Sequence, residues 1–137
     1  MEKEAYEKAI GVLEKCSTKN GFYAAFPGYD MVFARDSMIM SLGAAMIGNE
    51  FKETIRKSLM TLAVNQSAKG QIPNAVDSWS SRKKHVDFKS IDSTLWFLIG
   101  LKNYEKKFGK LNLGKNVERA LTWLSYQDFC ENGMLTQ

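Results

Sequence analysis

Residues 38–47 carry no charged side chain, and residues 95–101 again carry none. A helix that is apolar on every side has to be enclosed by other helices. Two such segments in one chain call for an inner layer of helices and an outer one. The sequence supplies the outer layer as well. Residues 3–16 place Ala5, Ala9, Ile10, Val12, Leu13 and Cys16 at helical spacing within a charged segment. Residues 50–68 put Phe51, Ile55, Leu59, Leu62 and Ala63 on one face, and residues 114–129 form a third charged helix.

The two inner helices have their own punctuation. The first takes Asp36 or Ser37 as N-cap and stops at Gly48-Asn49; the second opens at Ser90 and stops at Phe108-Gly109. No convincing strand pair is read. The expectation is an all-α fold of about five helices in antiparallel hairpins, a single domain over residues 1–137. Five helices cannot close a ring around two inner members, so the expected architecture is part of a larger helical barrel.

Composition narrows the function classes. A chain of 137 residues is one domain or part of one, and 45% hydrophobic with 25% charged residues is the balance of a soluble globular protein. No apolar run reaches membrane-spanning length. The polar start Met1-Glu2-Lys3-Glu4 is not a secretory signal, and a cytoplasmic location is expected. Cys16 and Cys130 do not have metal-ligand spacing and read as buried free thiols. A net charge of +4 reads as a solvated lysine-rich surface rather than a nucleic-acid footprint. The run Arg82-Lys83-Lys84-His85 is the weaker argument for the latter. His85 is the single histidine, so no histidine-based triad or metal site can be built, and the isolated glycines make no phosphate loop. No cofactor is implied.

Two connections, residues 17–35 and 70–89, exceed the usual loop length of a compact domain. They precede the two inner helices, while short connections precede the third and fifth. With helices packed up and down, both long loops end on the same side. That side then carries Asp36 and Asp92 together. Two acidic helix mouths converging on one cavity make a site for a polyol such as a sugar.

Each candidate has an ordinary reading beside the functional one. Asp36 and Asp92 suit the first turn of any helix, whose field favours an ionised carboxylate; a general acid must instead hold a proton. Arg35, set between Phe33 and an apolar helix, needs a partner. Asp36 cannot easily turn back to it, which leaves a ligand hydroxyl or another carboxylate. The aromatics Phe22, Tyr23, Phe26, Tyr29 and Phe33 stack on sugar faces or plug the top of a bundle. Trp79 sits in a loop, where ligand contacts concentrate. Trp96 and Trp123 fall on helical faces, the ordinary place for core residues.

Four segments carry a family resemblance. Gly21-Phe22-Tyr23-Ala24, with Tyr29 and Val32-Phe33-Ala34-Arg35-Asp36-Ser37, resembles the opening of the six-hairpin (α/α)6 glycoside hydrolases. These include glucoamylases, the amylo-α-1,6-glucosidase part of glycogen debranching enzymes, and neutral/alkaline invertases. Gly70-Gln71-Ile72-Pro73-Asn74 is similar to their Gly-x-Ile/Met-Pro loop, and Ile91-Asp92-Ser93-Thr94-Leu95-Trp96-Phe97 to their Val-Asp-(Ser/Ala)-x-Leu-Trp segment. Asn132-Gly133-Met134-Leu135 resembles their Asp/Asn-Gly-Leu-Leu. The match is to about the first half of the barrel.

The resemblance implies an inverting hydrolysis of terminal glycosidic bonds, with Asp92 as general acid. It implies that Arg35 and Asp36 hold hydroxyls of the terminal sugar, with Tyr29, Phe33, Asn74, Trp79 and Trp96 around them. The general base of these enzymes lies in the second half of the barrel. The implied partner is a carbohydrate substrate, with no nucleic acid and no membrane. Self-association, or pairing with the rest of a barrel, is expected from the apolar helices. The other reading is a non-catalytic helical module that binds carbohydrate or protein.

Overall fold

The structure, a computed structural model, describes residues 1–77 and 85–128. Five helices account for most of it: α1 (Glu2–Cys16), α2 (Ala34–Ile47), α3 (Lys52–Val64), α4 (Asp92–Phe108) and α5 (Gly114–Ser125). All five expected helices are present, and α2 packs on α4 more extensively than any other pair of helices meets. Gly100 permits that approach, because a Cβ there would run into the side chain of Met38. Met38 and Phe97 are fully buried at this seam, and Ile55, Leu59 and Leu62 of α3 complete the core beneath it. Among the described residues no helix is long and apolar enough to cross a membrane.

The purely helical expectation needs correction, since short strands pair in both long connections. β1 (Ser17–Thr18) and β2 (Gly21–Phe22) form a hairpin with Ser17 opposite Phe22. The hairpin is seated on α3: Phe22 N–H donates to Ser58 Oγ at 2.8 Å, and Thr61 Oγ1 donates to Asn20 O at 2.6 Å. Gly21 has φ +120°, and a Cβ on it would lie 2.5 Å from Ser58 Cα. Only glycine fits so close a contact in that backbone conformation.

A second sheet joins the two long connections to each other. β3 (Val32–Phe33), β4 (Ala75–Asp77) and β5 (His85–Asp87) pair antiparallel with β4 in the centre. Val32 stands opposite Val76, and Val76 opposite Val86. Val32 and Val76 are both fully buried, and Ala75 and Asp77 are buried as well, so the central strand is covered on both faces.

Helix boundaries also differ from the reading by caps. α2 begins at Ala34, directly from β3, because Ala34 N–H is already held by Asn74 O at 2.9 Å. Asp36 is therefore a first-turn acid and not the N-cap, which is Phe33. α4 begins at Asp92 with Ile91 as N-cap, so Ser90 lies outside the helix it was expected to open. α3 is shorter than residues 50–68, ending at Val64 where Asn65 N–H donates to Leu62 O and Gln66 N–H to Ala63 O. α5 ends at Ser125, and Phe129, with Cys130, Trp79 and the Asn132–Leu135 motif, lies outside the described residues.

Candidate functional site

The β3–β4–β5 sheet delivers the two inner helices side by side at their N-terminal ends. Arg35, second residue of α2, reaches Asp92, first residue of α4, with Nε 2.9 Å from Oδ2. The other carboxylate oxygen is taken as well: Ser90 Oγ donates to Asp92 Oδ1. Both oxygens of Asp92 thus accept from fixed donors. The Asp92 side chain is 25% exposed and that of Arg35 52%, so the pair sits at the mouth of the helices with solvent on one side.

The segment before α4 is held in place by the Gln71–Asn74 loop. Gln71 Nε2 donates to Phe88 O at 2.9 Å and to Ser90 O at 3.3 Å. Ile72 N–H donates to Thr94 Oγ1 at 3.1 Å in a buried contact. Pro73 has no N–H to leave unpaired there. Asn74 then closes the junction: its N–H donates to Asp87 O at 2.7 Å and its side-chain Nδ2 to Asp87 Oδ2 at 2.8 Å. Asn74 therefore ties β4 to β5 with its amide nitrogen while its carbonyl starts α2.

Three other expected sugar contacts meet in one place. Tyr29, Phe33 and Asp36, with Ala24, line a pocket of about 190 Å³. The rings of Tyr29 and Phe33 meet edge to face, with centroids 6.0 Å apart. Tyr29 is 66% exposed, and an exposed ring in a loop beside a carboxylate is a stacking surface with a hydroxyl acceptor next to it. The larger apolar groove of the molecule, about 610 Å³ between α1 and α2, holds none of the expected site residues.

Of the expected set, Arg35, Asp92, Asp36, Tyr29 and Phe33 gather around the α2 and α4 mouths. Trp96 is half-buried and packs against the hydrophobic core, as its helical position suggested. Ser90 and Gln71 are functional-looking residues whose jobs sequence reasoning missed. Ser90 reads as a helix opener because it stands two residues before an acid, the same spacing that lets its hydroxyl reach the acid's carboxylate. Among the described residues no group of three or more His, Cys, Asp or Glu is placed to hold a metal ion.

Burial raises the Cys16 thiol above its ordinary value, against a weaker lowering by a backbone hydrogen bond at Phe26, and the cysteine is a buried free thiol as expected. Arg56 lowers the Glu53 carboxyl through a hydrogen-bonded pair on α3.

No curated protein and no solved structure matches this chain. A family model described as amylo-alpha-1,6-glucosidase matches residues 8–125, from within α1 to the last residue of α5. That span includes both helix mouths and the sheet that joins them, and the chain belongs to the amylo-alpha-1,6-glucosidase family.

Proposed function

We propose that this chain forms the first part of a six-hairpin (α/α)6 glycosidase barrel, acting on a terminal glycosidic bond of a glucan-type oligo- or polysaccharide with inversion. The observation that carries the reading is the Arg35–Asp92 ion pair. It joins the aromatic-x-Arg-Asp segment to the Asp-x-x-Leu-Trp segment, beside a pocket lined by Tyr29, Phe33 and Asp36. Family membership supplies the carbohydrate substrate class.

In this reading Asp92 carries a proton on Oδ1, which the Ser90 hydroxyl turns to accept, and gives it to the leaving glycosidic oxygen. The bond from that oxygen to the anomeric carbon breaks as water attacks the opposite face, and a second carboxylate takes the water's proton. In inverting enzymes that base stands about 6.5–9.5 Å away. By the resemblance it belongs to the second half of the barrel. Arg35 and Asp36 hold hydroxyls of the terminal sugar, and Tyr29 and Phe33 face its apolar side. Asn74, Trp79 and Trp96 border the site. After proton transfer, Ser90 Oγ–H and Arg35 Nε–H stabilise the Asp92 carboxylate, which favours the transfer.

The test is Asp92→Asn in a polypeptide that contains this chain within a complete barrel. The substrate is an oligosaccharide ending in one α-1,6-linked glucose. Hydrolysis is expected to disappear while sugar binding remains, and wild-type product is expected first as the β-anomer by NMR. Unchanged turnover in Asp92→Asn, or an α-anomer released first, would overturn the assignment.

A further inference from the structure

The segment that carries Ser90 also walls a second cavity, of about 360 Å³, closed on its far side by Trp123 and Gln127 of α5 and its C-terminal turn. Phe88, Lys89 and Gln71 complete it. Its volume lies at the small end of ligand pockets, the size for one ring rather than a chain. We propose that this cavity is a second carbohydrate subsite, binding a neutral hexose unit of the glucan apart from the Arg35–Asp92 pair. The inference rests on the proposed function only for the identity of the sugar and requires no hydrolysis.

The chemistry of the wall selects the ligand. Trp123 and Phe88 are half-buried aromatic rings, which suit the C–H face of a pyranose. Both glutamines have their amide nitrogens committed to backbone carbonyls. Gln71 Nε2 donates to Phe88 O and Ser90 O, and Gln127 Nε2 donates to Trp123 O at 2.8 Å. Gln71 spends both its N–H donors and Gln127 one of two, so each amide offers its oxygen as an acceptor and Gln127 keeps one N–H as well. Acceptor oxygens attract hydroxyl donors and repel anions. Among the described residues no carboxylate lines the cavity, and Lys89 is the one charged side chain. A donor-rich neutral ring fits these walls; a phosphate, which needs converging donors, does not.

The cavity also borders the segment that holds the candidate acid. Gln71 Nε2 holds Ser90 O while Ser90 Oγ holds Asp92 Oδ1.

The experiment uses the full chain, labelled with ¹⁵N, and follows the indole N–H signal of Trp123, assigned with Trp123→Phe. Titration with maltotriose is expected to give a saturable shift of that signal in the wild type and equally in Asp92→Asn and Arg35→Met. Gln127→Ala is expected to weaken that binding roughly three- to tenfold, the worth of one hydrogen bond. Gln127 is half-buried at the end of α5, so this variant keeps the test valid where Trp123→Ala fails to fold. No saturable shift at Trp123, equal affinity in Gln127→Ala, or a shift produced by inorganic phosphate alone would each overturn the proposal. Loss of the shift in Arg35→Met with Gln127→Ala unchanged would place the sugar at the Tyr29–Asp36 pocket instead, which also overturns it. Failure of the hydrolysis reading shows separately, as turnover that survives Asp92→Asn.

Discussion

Arg35 Nε lies 2.9 Å from Asp92 Oδ2, an ion pair between the second residue of α2 and the first residue of α4. Its two members come from opposite ends of the β3–β4–β5 crossover, so the pair forms only when both long connections are in place. A partly exposed pair of this kind stabilises by about 0.5–1 kcal/mol. A double-mutant cycle with Arg35→Met and Asp92→Asn, read by urea unfolding, is expected to give a coupling energy of that size. Additive effects would mean that the pair does not persist in solution. Arg35→Lys keeps the charge but loses the fixed N–H geometry, and is expected to recover only part of the coupling.

Gly21 is the residue on which the first long connection depends. Its φ of +120° would strain any side chain, and a Cβ at this position would stand 2.5 Å from Ser58 Cα, a clash with backbone. Gly21→Ala is expected to cost about 2–4 kcal/mol in chemical denaturation. Ser58→Ala removes the acceptor of the buried Phe22 N–H and is expected to cost about 1–3 kcal/mol. A Gly21→Ala loss below about 0.5 kcal/mol, within the range of an ordinary surface change, would show that the hairpin does not seat on α3 this way.

What was legible in the sequence follows from length and period. Each helix runs for at least 12 residues, enough turns for an apolar stripe or an unbroken apolar run to register. The strands hold two or three residues each, too few for alternation, and β3 pairs with β4 across α2 and α3. Nothing local announces such a pairing. The same cause misplaced the start of α2: Asp36 has the chemistry of a cap, but the carbonyl of Asn74 arrives from the second connection and begins the helix at Ala34. The partner of Arg35 was legible in kind, because a guanidinium set among apolar residues requires an acceptor. Its identity as Asp92 was not, although loop parity puts the two helix mouths on one side; the ion pair itself is fixed by tertiary packing. Ser90 and Gln71 were not legible as site residues, since their value lies in carbonyls and hydroxyls that tertiary packing brings within reach.

Glu53 gives stability a small acid dependence. Its hydrogen bonds from Arg56 lower the folded-state carboxyl below the ordinary 4.5, with the nearby charge of Arg56 adding to the effect and slight burial opposing it. A lowered folded value means that the stabilisation is complete above about pH 4.5 and is lost as pH falls through the lowered value. Because the side chains are 59% and 41% exposed, the pair stabilises by only about 0.2–0.5 kcal/mol. The Glu53→Gln variant is expected to match the wild type at low pH and fall behind it by that amount at neutral pH. A gap that grows on acidification would contradict the direction.

Inner helices of the proposed barrel have inner neighbours on both sides, whereas among the described residues α2 and α4 have only each other as inner neighbour, beside the outer α3. Ile39 and Met46 of α2 are 47% and 84% exposed, and Leu95 and Ile99 of α4 are 37% and 48% exposed. Apolar side chains left open on the most apolar helices of a protein favour association. The isolated chain is therefore expected to self-associate in sedimentation at micromolar concentration. Replacing Ile39, Met46 and Ile99 together by glutamine is expected to shift it toward monomer. None of the three belongs to the fully buried core, so the far-ultraviolet circular dichroism is expected to stay unchanged. A stable monomer that is indifferent to these replacements would count against a partial barrel, because the helices that define its inner wall would then need no further partner.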